Sequence, residues 1–91
     1  MVYIRLRLNV ANYDAWRAGF DGNESNRKAA GSTGVNQFYR DVENSNNVTL
    51  IMEWDEAVNA QAYLNDPNTQ AGMDAAGVTG QPSVVAVQTK I

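Results

Sequence analysis

Residues 2–10 alternate strictly between two kinds of side chain. Val2, Ile4, Leu6, Leu8 and Val10 fall on one side of an extended chain, and Tyr3, Arg5, Arg7 and Asn9 fall on the other. Successive strand side chains point to opposite faces, so this pattern dictates a strand with one apolar and one ionic face. Any sheet built on it must bury the first face and account for charges on the second.

The rest of the chain reads as alternating helix and strand patterns. Asn12 is placed to cap a helix whose stripe is Tyr13, Trp16 and Phe20. Asp21-Gly22-Asn23 weakens that helix, helical character resumes through residues 24–30, and Gly31 suits its left-handed end. Residues 34–42 read as a second strand, with Phe38 and Val42 on one face and Val35 and Tyr39 on the other. The polar run at residues 43–47 is a hairpin loop. In residues 48–54, Val48, Leu50, Met52 and Trp54 share a face opposite Thr49, Ile51 and Glu53. Asp55 is placed to cap a helix carrying Ala57, Val58, Ala62, Tyr63 and Leu64. Asp66-Pro67 starts a second piece that runs past Met73 and Ala76 to Gly77. After the turn Gly80-Gln81-Pro82, residues 83–91 form the last strand.

The order strand, helix, strand, strand, helix, strand is the split βαβ arrangement. It predicts an α+β, ferredoxin-like βαββαβ fold, a four-stranded antiparallel sheet with both helices on one face. The 91 residues suffice for one domain, residues 1–91. The chain has no Cys and no His, which excludes disulfides, thiolate zinc sites, thiol nucleophiles and imidazole bases. A net charge of -3 argues against neutralising nucleic-acid phosphates. No stretch approaches a membrane span and the first residues lack a signal-peptide pattern, so the expected compartment is the cytoplasm.

Helices on one face leave the other bare. That face would carry Tyr3, Arg5, Arg7, Ile51 and Glu53, with either Val35 and Tyr39 or Phe38 and Val42. It holds too many large side chains for a wet surface and too many charges for a core. A patch of this kind marks an interface or a binding cavity. The simplest cover is a second copy, sheet against sheet, with the ionic groups inside a shared barrel. Tyr3, Arg5, Arg7, Tyr39 and Glu53 are therefore the ligand-pocket candidates. Guanidinium suits an anionic ligand, and the bland alternative pairs Arg5 or Arg7 with Glu53 across strands or with the partner chain. Glu53 is the acid–base candidate by elimination, and structural pairing is the competing role.

Several segments resemble small dimeric α/β-barrel proteins, the ferredoxin-like group that includes antibiotic-biosynthesis monooxygenases. They are Val10-Ala11-Asn12-Tyr13-Asp14-Ala15-Trp16 with Phe20-Asp21, Gly34 leading to Tyr39-Arg40, and Asn47-Val48 entering a strand that ends Glu53-Trp54. Asp66-Pro67, Met73, Ala76-Gly77-Val78, Gly80 and Pro82 complete the set. The resemblance implies a homodimer paired through its sheets. Some members oxidise small aromatic substrates without metal or flavin, so no cofactor is expected. The axial His of haem-degrading relatives has no counterpart here.

Other motifs carry less. Trp16, Phe20 and Met73 at helical spacing are core, and Trp54 at a strand end joins them. Gly31-Ser32-Thr33-Gly34 lacks the pattern of a phosphate loop. No spacing suggests a metal site. An RNA-recognition module would need a basic, Gly-rich aromatic third strand, and residues 48–53 provide none. Two expectations remain in contest. One is a homodimeric binding protein for a small organic ligand, and the other is a cofactor-independent monooxygenase or isomerase acting on an aromatic or polyketide-like molecule.

Overall fold

The computed structural model describes residues 1–91. Its elements follow the order read from the sequence, with each helix in two pieces. They are β1 (Val2–Asn9), α1 (Tyr13–Gly22), α2 (Glu24–Ala30), β2 (Ser32–Arg40), β3 (Asn47–Trp54), α3 (Ala57–Asn65), α4 (Pro67–Ala75) and β4 (Val84–Thr89). The sheet order is β2-β3-β1-β4, and every neighbouring pair is antiparallel. This is the ferredoxin-like arrangement, with β1 and β3 at the centre.

Register aligns the two apolar stripes. Ile4 faces Met52, Leu6 faces Leu50, and Leu8 faces Val48. All six are buried, and with Val10, Trp16, Phe20, Trp54, Ala60 and Val78 they form one core. Period two therefore decided which face meets the helices. Phe38 turns to the same side and meets Phe20 edge-on at 5.3 Å and Trp16 at 6.1 Å. Phe38 packs partly buried against the core, and Val35 and Tyr39 stay on the bare face, 53% and 55% exposed. Val42 lies beyond the end of β2 and is fully exposed, so it shares no face with Phe38.

The punctuation works as side-chain chemistry predicts. Asn12 accepts the Ala15 amide at 3.0 Å, and Asp66 accepts the Asn68 amide at 2.9 Å with Pro67 in the first turn. The break between α1 and α2 falls at Asn23. Asp55 sits one residue before the cap of α3. The cap position is Glu56, and the Asp55 carboxylate instead binds the Glu56 amide and the Asn59 side chain. Val58 is exposed, and Ala60 is the buried contact of α3.

Gly34 is one of four glycines with positive φ. A β-bulge shifts the register of β2 between Ser32 and Asn36, and Gly34 there has φ +86°. The positive φ favours glycine there, and an added Cβ would also have to displace the flexible end of the Lys28 side chain.

Candidate functional site

The bare face repeats the β1 alternation across the sheet. Tyr3 lies between Glu53 and Gln88, Arg5 between Ile51 and Ala86, and Arg7 between Thr49 and Val84. Gln37 and Tyr39 extend the second and third rows onto β2. The five sequence candidates, Tyr3, Arg5, Arg7, Tyr39 and Glu53, thus share one surface, but they do not converge on a point.

Their pairings differ from expectation. Neither arginine pairs with Glu53. Arg5 donates to Gln88 at 3.1 Å, drawn toward the edge strand β4. Arg7 reaches the other way and grips Asp41 with both terminal nitrogens, Nη1 at 3.1 Å, and also meets Thr49 at 3.3 Å. The guanidinium hydrogen bond holds the Asp41 carboxyl below the ordinary carboxylate range and raises Arg7. Asp41 was not singled out in the sequence, although the strand read over residues 34–42 set it on the face of Val35 and Tyr39; it lies one residue past the end of β2. Tyr39 donates to Gln37 at 3.3 Å. Glu53 forms no salt bridge. Tyr3 and Arg5 line a shallow hollow of about 340 Å³ with Gln37, Ile51 and Gln88.

A larger hollow lies on the other side of the molecule, among the helices. It measures about 500 Å³ and runs between α1–α2 and α3–α4. Small residues bring the two helix pairs close at one place, where a Cβ on Gly19 would sit 3.3 Å from Ala76 Cβ. Gly72 has no such neighbour within 4 Å and opens onto the cavity. Trp16, Phe20 and Met73 line the hollow, and polar groups come from Asn23, Asn26 and Thr69.

Its most unusual member is Arg27, 3% exposed. The guanidinium carbon stacks over the Phe20 ring, 3.5 Å from its centroid. Nε is buried without a hydrogen-bond partner. The nearby acids are engaged elsewhere, Asp21 with Arg17 and Glu24 with Lys28. Burial lowers the pKa of Arg27, which charges on Tyr63, Glu24 and Asp21 partly offset. Tyr63 adjoins the guanidinium and meets Trp54 at a tilt, ring centroids 4.8 Å apart. Burial pushes its phenol up, and Arg27 pulls it back only in part. Arg27 was not singled out in the sequence. Its neighbours Glu24, Asn26 and Lys28 give the segment the look of a solvated helix, and Phe20 of α1 and Tyr63 of α3 are what cover it.

No group of acidic, Cys or His residues is placed to hold a metal ion. No helix is long and apolar enough to cross a membrane.

Fold and hollow together define an α+β protein of the ferredoxin-like class. Within that class, the chain resembles antibiotic-biosynthesis-monooxygenase-like proteins. A candidate monooxygenase of that description from Bordetella bronchiseptica superposes with a TM-score of 0.76 at 16% identity, covering 99% of this chain and 96% of that one. SnoaB, a cofactor-independent oxygenase from Streptomyces nogalater, gives 0.73 at 16% identity, covering 99% and 92%. Rv0793 from Mycobacterium tuberculosis gives 0.65 at 16% identity, covering 99% and 94%. At these identities the likeness concerns the fold. No family model matches the sequence, and no curated protein matches it significantly.

Proposed function

We propose that the chain works as a homodimeric binding protein for a small organic molecule, with the two faces of the sheet dividing the labour. The bare face is the dimer interface. Tyr3, Arg5, Arg7, Tyr39 and Glu53 line the barrel that two copies enclose, and the hollow at Tyr3 and Arg5 becomes part of its interior. The helix-side hollow is the principal ligand site. The observation that carries this assignment is a cavity of about 500 Å³ with aromatic walls and a buried guanidinium at its side. Ligand sites combine an apolar lining with a few convergent polar groups in this size range.

A second reading adds chemistry. The superposition on a cofactor-independent oxygenase and the aromatic lining from Trp16 and Phe20 support oxygenation of an aromatic or polyketide-like ligand in the same hollow. Dioxygen uptake with a panel of polycyclic phenols separates the two. Uptake above the protein-free rate favours the oxygenase, and none with ligands that bind leaves a binding protein.

Thermal-shift screening with small aromatic and alicyclic compounds tests the shared part. Binders raise the melting temperature of the native chain and not of Gly72→Leu, whose added side chain enters the hollow. A screen without shifts, or shifts unchanged in that variant, contradicts the site.

A further inference from the structure

We propose that the helix-side hollow takes an organic carboxylate, its carboxylate held by the Arg27 guanidinium and the Tyr63 hydroxyl and its apolar body laid on Trp16, Phe20 and Met73. This rests on the reading of that hollow as the ligand site and names the class of ligand.

The argument begins with the cost of Arg27. Taking a guanidinium out of water is expensive unless an anion and hydrogen-bond acceptors replace the lost hydration. Neither is present. No carboxylate lies within ion-pair distance of Arg27, since the three ion pairs of the fold belong to Arg7, Arg17 and Lys28. The stack on Phe20 engages the face of the guanidinium. The in-plane edge, where Nε has no partner and the Tyr63 hydroxyl adjoins, is the part of a guanidinium that binds a carboxylate. Arg17 shows the contrast within the same fold. It stacks on Phe38 at 3.6 Å in the same way, yet its Nε donates to Asp21 at 3.1 Å. Arg27 has the stack without the acid.

The surroundings select further. Burial favours the neutral, protonated form of the Tyr63 phenol, which keeps a donor beside the guanidinium. Asp66 also borders the hollow, but its Oδ1 accepts the Asn68 amide as the α4 cap. Trp16, Phe20 and Met73 also line the hollow, and Gly72 makes room. Such a site suits a ligand with an acid at one end and a rigid hydrocarbon body. Compact hydrophilic anions such as inorganic phosphate would leave the apolar wall wet.

Calorimetric titration of the full chain with 2-naphthoate and its neutral analogue 2-naphthamide tests this. The carboxylate should bind at least about tenfold more tightly, as hydrogen bonds to a charged partner exceed neutral ones by this order. Arg27→Met should abolish the preference, and Arg27→Lys should weaken it because an ammonium cannot form the planar fork. Loss of Arg27 risks the fold, so Gly72→Leu serves as a second variant that keeps the arginine, and it should weaken both ligands. Equal affinities in the native chain overturn the carboxylate while leaving the hollow as a ligand site. Binding of neither probe overturns both. Tight naphthoate binding unaffected by Gly72→Leu moves the anion elsewhere and overturns the site.

Discussion

The two faces of the sheet use one alternating pattern to opposite ends. On the helix side, Ile4, Leu6, Leu8, Val48, Leu50, Met52 and Trp54 are each no more than 3% exposed. On the other side, Tyr3, Arg7, Ile51 and Glu53 are half-buried by neighbours within the sheet, while Arg5 and Tyr39 are exposed. The covered face is finished by this chain alone. The bare face sets Arg5 between apolar Ile51 and Ala86 and Arg7 beside Val84, and the helices leave it open. The contrast teaches that period two specifies which residues separate, and that the helices specify which set is served by the chain itself.

The contrast can be broken most forcefully at neighbouring positions. Trp54→Ala removes a fully buried ring from the covered face and should cost about 3–5 kcal/mol in urea-unfolding free energy. Glu53→Gln, one residue earlier on the bare face, should change the same free energy by less than about 0.5 kcal/mol. Comparable losses at both positions would show that the faces are not distinct.

A smaller effect separates packing from punctuation. Asp66→Ala takes the cap from α4 and should cost about 1 kcal/mol by the same measurement. Gly72→Ala should have the opposite sign, a gain of up to about 1 kcal/mol, because an added Cβ meets nothing within 4 Å and a helical glycine is costly.

The two faces should also titrate at opposite ends of the pH range. Asp41, on the rim of the bare face, has a depressed pKa in the fold. Its contribution is present above the ordinary carboxylate range and is lost as pH falls through the lowered value. Asp41→Asn should therefore flatten the acid limb of a melting-temperature profile. Tyr63, on the helix side, has a raised pKa. Its contribution is complete below the ordinary tyrosine value of about 10 and is lost as pH rises beyond it. Tyr63→Phe should flatten the alkaline limb and leave the acid limb unchanged.

Much of the fold was legible because it rests on short-range rules. Strand periodicity gave the face of every central-strand residue, and Asn12 and Asp66-Pro67 gave two helix starts. The candidate site was legible only in its sheet half. Tyr3, Arg5, Arg7 and Glu53 announce themselves by parity, but which ions pair depends on where chain ends fall. Arg7 found Asp41 just past the end of β2 and left Glu53 without an ion pair. The helix-side hollow was invisible, because it arises where four helical pieces meet around Gly19, Gly72 and Ala76. Nothing in the polar run of α2 marks Arg27 as its one buried side chain.

The most direct test of the division between faces is the mass of the folded chain in solution. Light scattering at micromolar concentration should report about 20 kDa, twice the 10.0 kDa of one chain. Ile51→Arg, which sets a like charge opposite Arg5, should reduce it to the single-chain mass with the far-UV circular dichroism spectrum retained. A native chain that stays at 10.0 kDa and fully folded as its concentration rises would contradict the account.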